Sequence, residues 1–207
     1  VVEGPNPADG IQQFRELNQV ENNLDEEQLQ RMLTVLKKDN KRTVCAIVQF
    51  LLSTGARLNE ALQSKWALID VERRVWRIPA TNSKSGKVRA VPLNDAALEV
   101  LSKQDTEDEF EHVFINRQTG LPYTTIQKVW ERLRRKAGLE HVRIHDLRHS
   151  YASMLVNSGR SLYEVQQILG HSNPKVTQRY SHLSTATLQD AAGSAADRIS
   201  EALKKAS

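Results

Sequence analysis

The chain has 207 residues, with 29 lysines and arginines against 25 aspartates and glutamates and a formal net charge of +4. That length supports one substantial core and at most two small domains. No apolar run approaches a membrane span, so the expected class is a soluble globular protein with no membrane partner. The net charge is compatible with nucleic acid without establishing it.

The chain begins Val-Val, with no Met and no secretory signal, and reads as a fragment of something longer. Residues 1–23 carry Gly, Pro, Asn and Gln with little apolar periodicity, and are expected to be a linker, NPADGI being the join to an upstream domain. The globular part starts at LDEEQLQRMLTVLKK. There Leu29, Met32, Leu33 and Leu36 recur at helical spacing, and Asp25, Glu26 and Glu27 suit a helix N-terminus. A second helix runs through VCAIVQFLL and stops at Ser-Thr-Gly. Its Cys45 is the single cysteine, which excludes an internal disulfide and fits a buried thiol in a cytoplasmic protein. Arg57 begins a short third helix.

The texture then changes. WALIDVERRVWRIPA and KVRAVPL are rich in Val, Ile and Trp, with turns at Asp70–Arg73 and Ser85-Gly86, and predict three short antiparallel strands. Helical pattern returns at Asn94, where Asn94 or Asp95 caps a helix through Val100. The acidic run QDTEDEF reads as solvated surface, away from any DNA. Tyr123–Ala137 is a basic amphipathic helix ended by Gly138. HDLRHSYASMLVNSG and SLYEVQQILG are two more helices, each closed by a Gly. After Ser184, Leu188, Ala191, Ala192, Ala195, Ala196, Ile199 and Leu203 trace one stripe of a C-terminal helix. The predicted fold class is mainly α with a small three-stranded antiparallel sheet (α+β), and the globular domain spans 24–183.

The residues best suited to chemistry are Arg57, His145, Arg148, His171 and Tyr180. Phosphodiester cleavage needs a nucleophile, an acceptor for its proton, positive charge for the phosphorane and an acid for the departing oxygen. A phenol of pKa about 10 is mostly protonated at neutral pH and needs help. His145 can accept that proton. Arg57 and Arg148 can each grip a non-bridging oxygen, more tightly as charge builds. His171 can donate one more hydrogen bond. Lys84 or Lys87, on the predicted hairpin, can protonate the leaving 5′ oxygen. No metal is required.

Taken together these segments resemble the catalytic domain of the tyrosine recombinase, or phage integrase, family. Gly55, Arg57 and Glu60 match its Gly-x-Arg-x-x-Glu box. Lys84 in SKSGKVRAVPL matches its hairpin lysine, followed by the family's closing Arg-x-x-Pro-Leu at Arg89, Pro92 and Leu93. His145 and Arg148 match His-x-x-Arg, Leu169-Gly170-His171 matches Leu-Gly-His, and the nucleophile falls at Tyr180. The resemblance covers roughly 24–183. It implies DNA integration or another site-specific recombination by strand cleavage and rejoining through a 3′-phosphotyrosine, with no nucleotide or metal cofactor. It further implies Glu60 as a support for Arg57 or the His145 helix. Its implied setting is the cytoplasm, on the nucleoid. The full-length protein is expected to self-associate on double-stranded DNA as a tetramer, the isolated domain being compatible with a monomer. The C-terminal stripe would either dock on a neighbouring protomer or fold back on its own core.

Phosphate contacts are expected from Lys84, Lys87, Arg89, Lys128, Arg132, Arg135, Arg143, Lys175 and Arg179, with the Lys128, Arg132 and Arg135 face lying along the major groove. Three alternatives remain, one of them a DNA-binding module with no activity. HDLRH places His145 and His149 one helical turn apart, as in a zinc hydrolase, with His171 or Glu164 completing the set. That scheme leaves Arg57, Lys84 and Tyr180 unemployed, and His149 reads better as a supporting residue beside the active site. A type IB topoisomerase shares the nucleophile logic but not the Leu-Gly-His box.

Overall fold

The computed structural model describes residues 22–82, 86, 88–184 and the single positions 189, 193 and 198. The expected linker, except Asn22 and Asn23, lies outside the described residues. So do Lys84, Lys87 and every residue of the C-terminal stripe.

Helix α1 (Glu26–Lys38) starts as its sequence demands. Asp25 accepts from the Gln28 backbone N–H while the Gln28 side chain reaches back to Asp25 N–H, satisfying two otherwise orphaned donors. Met32 and Leu36 are buried, whereas Leu33 is 41% exposed. Helix α2 (Arg42–Thr54) is the central element. Val44, Cys45, Ile47, Val48, Phe50 and Leu51 are all buried, and the helix closes on Gly55 in the left-handed region. The short α3 (Leu58–Leu62) follows at once.

The predicted sheet is present: β1 (Ile69–Asp70), β2 (Val75–Ile78) and β3 (Arg89–Pro92) lie antiparallel in that order. Its register pairs Trp76 with Val91 and Ile78 with Arg89. Strand β3 alternates, with Arg89 and Val91 inward and Ala90 and Pro92 outward. Asn94 caps α4 (Asp95–Ser102) by accepting from Ala97 N–H.

A second hairpin, β4 (Ile115–Asn116) with β5 (Leu121–Pro122), was not predicted. Helix α5 (Gln127–Lys136) starts four positions later than expected. Pro122 belongs to β5, and the Thr125 hydroxyl accepts from Gln127 N–H at the true start. The carboxylates of the acidic run are exposed, as expected, and partly neutralised: Asp105 and Glu109 pair with Arg117, and the adjoining Glu111 with Lys65. Helices α6 (Asp146–Asn157), α7 (Leu162–Leu169) and the unforeseen α8 (Pro174–Gln178) follow, and then a 3-10 turn over Ser181–Ser184.

Two apolar clusters result. The larger joins α1, α2, α4 and α5 to the sheet, with Phe50 against Trp76 and Phe114 at ring distances of 5.3 and 5.5 Å. The smaller consists of Ala152, Val156, Val165, Leu169 and Tyr180. Among the described residues, no helix is long and apolar enough to cross a membrane.

Candidate active site

The site lies where the larger cluster meets the smaller one. Its first anchor is the turn between α2 and α3. Gly55 has φ +62, and a Cβ there would collide with the Tyr151 ring and lie 2.8 Å from the Leu169 side chain. Only glycine permits this close approach of α2 to α6 and α7. Arg57, the N-terminal cap residue of α3, is thereby presented beside α6. Buried Glu60 fixes it, one carboxylate oxygen accepting from Arg57 N–H and the other from Arg57 Nη1, each at 2.8 Å.

Arg148, on the first turn of α6, is 4% exposed. Its guanidinium donates to the Gly55 carbonyl at 2.6 Å and the Leu169 carbonyl at 2.7 Å. It therefore ties the Gly-x-Arg turn to the C-terminus of α7. Burial, with Arg57 and Arg89 close by, pulls its pKa down to about 9, so it stays charged at neutral pH but at an electrostatic cost. Arg57 is thus near enough for its charge to disfavour the charged form of Arg148.

His171 follows Gly170, the left-handed cap of α7. Its Nδ1 lies 2.8 Å from the Thr177 hydroxyl of α8. Burial first, then Arg148, Arg57 and Arg179, push its pKa down to about 3. A Thr177 hydroxyl donating to Nδ1 leaves the proton on Nε2 for an anion. His145, the N-cap residue of α6, meets His149 edge to face at 5.1 Å. Burial and Arg148 lower its pKa as well, opposed by Asp146.

Tyr180 is 1% exposed and its hydroxyl lies 2.5 Å from His149 Nδ1. Burial, then His145 and Arg179, lower the His149 pKa to about 4. Arg57, His145, Arg148, His149, His171 and Tyr180 thus form one connected constellation, drawn from four separate stretches of the chain. Lys84 lies outside the described residues.

The expected DNA contacts divide. Lys128, Arg135, Arg143 and Lys175 are exposed, although Arg143 is paired with Asp146 at 2.9 Å. Arg179 is half-buried beside His149 and His171. Arg132 is held by the buried Asp39 at 2.6 Å, and Lys136 takes the other oxygen at 2.9 Å. Arg89 needs correction. It is 8% exposed, donates to Glu60 at 2.5 Å and to the Ile168 carbonyl at 2.8 Å, and so is an internal brace rather than a phosphate contact. Strand alternation is the physical reason, since Arg89 shares the inward face of Val91.

Two partners were missed. Thr177 lies within the run that matched the family, but no spacing rule marks it as the partner of His171. Asp39 was invisible because its partners lie far along the chain on α5. The zinc arrangement is disfavoured by the geometry: Asp146 is taken by Arg143, and His149 Nδ1 faces Tyr180. Among the described residues, no group of three or more His, Cys, Asp or Glu side chains is arranged to hold a metal.

The family model for the phage integrase family matches residues 22–187. This chain is a member of that family. It is 33% identical over 150 residues to the integrase of Salmonella phage P22, covering 67% of this chain and 38% of that one. It is also 33% identical over 186 residues to tyrosine recombinase XerC of Actinobacillus pleuropneumoniae serotype 7, covering 86% and 60%. This integrase-family chain therefore spans less than two thirds of the length of each of those relatives. Among solved structures, it resembles the XerH site-specific recombinase bound to palindromic difH substrate in a post-cleavage complex. The TM-score is 0.68 at 29% identity, over 84% of this chain and 53% of that one. The catalytic domain of bacteriophage HP1 integrase shares the fold, with a TM-score of 0.64 at 23% identity, over 83% and 93%.

Proposed function

We propose that this chain is the catalytic part of a site-specific DNA recombinase that cuts and rejoins strands through a 3′-phosphotyrosine. The observation that carries the proposal is the crowding of Arg57, Arg148 and His171 beside the Tyr180 phenol. The two guanidinium charges are held there at a cost, beside a neutral His171, and a phosphate would relieve it. Tyr180 is the nucleophile. Arg57 and Arg148 bind the non-bridging oxygens, and His171 and His145 add hydrogen bonds or accept a proton. Lys84, with Lys87 as the alternative, protonates the leaving 5′ oxygen.

The ester conserves the energy of the broken bond, so a second 5′-hydroxyl can reverse the step without a nucleotide, and no metal enters the scheme. The substrate is double-stranded DNA, and the full-length protein works as a tetramer on it, on the nucleoid in the cytoplasm. The likeness to the XerH recombinase bound to its difH substrate supports the choice of substrate. Phosphate contacts come from Lys128, Arg135, Arg143 and Lys175, all exposed, with Arg179 beside the reacting groups.

The test is a covalent trap. The full-length protein, given a suicide duplex in excess chelator, is expected to form a protein–DNA adduct. Tyr180→Phe should abolish it while leaving DNA affinity within about twofold, and Arg148→Ala should slow it by about 100-fold or more while the fold survives. An adduct that persists in Tyr180→Phe, or that needs a metal, would overturn the reading.

A further inference from the structure

His145 is the residue to which the motif assigns the phenolic proton, yet a different histidine holds the hydroxyl. His149 stands one helical turn further along α6, with Nδ1 2.5 Å from the Tyr180 oxygen. We infer that His149, rather than His145, accepts the Tyr180 proton during strand cleavage. The inference rests on the recombinase reading above.

Geometry supplies the first support. A catalytic base must lie within hydrogen-bond reach of the proton it takes, and 2.5 Å meets that condition before any DNA arrives. Both residues belong to the structural frame: Tyr180 is buried in the small cluster with Ala152 and Val156 of the same helix. The His149 ring therefore faces the phenol from a rigid element, with the rings 6.2 Å apart and tilted by 46°.

Charge supplies the second. The groups facing His149 are His145, Asp146 and Arg148 from α6, Arg179 and Tyr180 from the segment after α8, and His171 after α7. The cations and burial keep the imidazole neutral at working pH, its pKa near 4, so a lone pair is available to the hydroxyl. A base this weak does not strip a free phenol. It becomes competent as the phenolic oxygen bonds to phosphorus, because that oxygen then loses its basicity, while the phosphate charge between Arg57 and Arg148 favours an imidazolium beside it.

The step balances. The Tyr180 Oη–P bond forms and the P–O5′ bond breaks. The phenolic proton moves to His149 Nδ1, and the departing 5′ oxygen takes its proton from the hairpin lysine. On rejoining, the incoming 5′-hydroxyl gives its proton back to the hairpin lysine as its oxygen bonds to phosphorus, the Tyr180 Oη–P bond breaks, and His149 returns its proton to Tyr180. His145, at the mouth of the helix and partly in solvent, is left to face the phosphate.

His149→Asn separates holding from accepting, since the amide oxygen can still receive the hydrogen bond but cannot take the proton. The substrate is a duplex selected by the full-length protein from a random-sequence library. It carries a 5′-bridging phosphorothiolate at the cleavage position, so that the leaving group needs no acid. His149→Asn should bind it normally and form the adduct about 100-fold more slowly than wild type. An unchanged rate would overturn the inference, and a faster rate would mean that His149 merely restrains the nucleophile. Failure of the wild type to form an adduct, or an adduct that survives Tyr180→Phe, would sink the recombinase reading and this inference with it. A measurement without DNA guards against misfolding of the variant. In ¹⁵N-histidine spectra of the wild-type chain, His149 Nδ1 should be unprotonated and should shift in Tyr180→Phe; a protonated Nδ1 would overturn the assignment.

Discussion

Glu60 serves two arginines with two oxygens, one side of its carboxylate on Arg57 and the other on the Arg57 backbone and Arg89. With a side chain 1% exposed, it is a buried charge whose neutralisation depends on both guanidinium groups. Breaking such a pair leaves uncompensated charge inside the protein, at a typical cost of about 3–5 kcal/mol. Glu60→Ala should therefore lower unfolding free energy in urea by that amount. Glu60→Gln, which keeps the shape and part of the hydrogen bonding, should lose distinctly less, and equal losses would argue that charge is not what matters here. The Gly-x-Arg-x-x-Glu spacing was readable from the chain, because three positions is the distance at which a side chain in the first helical turn reaches back to the cap. The second arginine on Glu60 was not readable as such, although the inward alternation of Arg89, Val91 and Leu93 was available to mark it as internal.

Helix α5 shows how an element can be recognised while the direction of its charges is not. Its basic face was plain in the sequence. What could not be seen was Asp39, just past the end of α1, which draws Arg132 and Lys136 onto itself. Burial and these partners leave the Asp39 carboxyl below its ordinary pKa, burial opposing and the Lys136 and Arg132 interactions prevailing. The three α5 residues should then differ in DNA affinity measured against salt. Lys128→Ala and Arg135→Ala should each reduce the slope of log affinity on log salt by about 1, as expected for one lost phosphate contact. Arg132→Ala should change the slope by much less. An equal change for all three would mean that Arg132 leaves Asp39 when DNA binds. The short elements, β4, β5 and α8, escaped prediction for a related reason. Two-residue strands and a five-residue helix carry too few positions to show a period, and tertiary contacts decide them.

Taken as one body, the protein holds His145, His149 and His171 among cations, and this couples folding to pH. His149 and His171 are held near pKa 4 and 3, while in an unfolded chain both titrate near 6.5. The unfolded state thus binds more protons between those values, and stability must rise with pH across that window. It is complete above about pH 6.5 and declines toward pH 4. The urea midpoint should fall between pH 7.5 and 5, above the range where Asp39 and Asp146 begin to titrate. Replacing both histidines by Asn should flatten the decline, and a wild-type midpoint equal at the two pH values would contradict the charge environment described here. The helical class and the sheet were legible because periodicity is local, and motif spacing picked out Arg57, His145, Arg148, His171 and Tyr180 for the same reason. The joining of α2, α6 and α7 around Gly55 was not, because it depends on what a missing Cβ would strike. One last property follows from the position of Tyr180 among Ala152, Val156, Val165 and Leu169. A phosphotyrosyl ester formed against that greasy wall would meet little bulk water, so hydrolysis would be slow and the broken strand would keep, waiting for whichever DNA end reaches it.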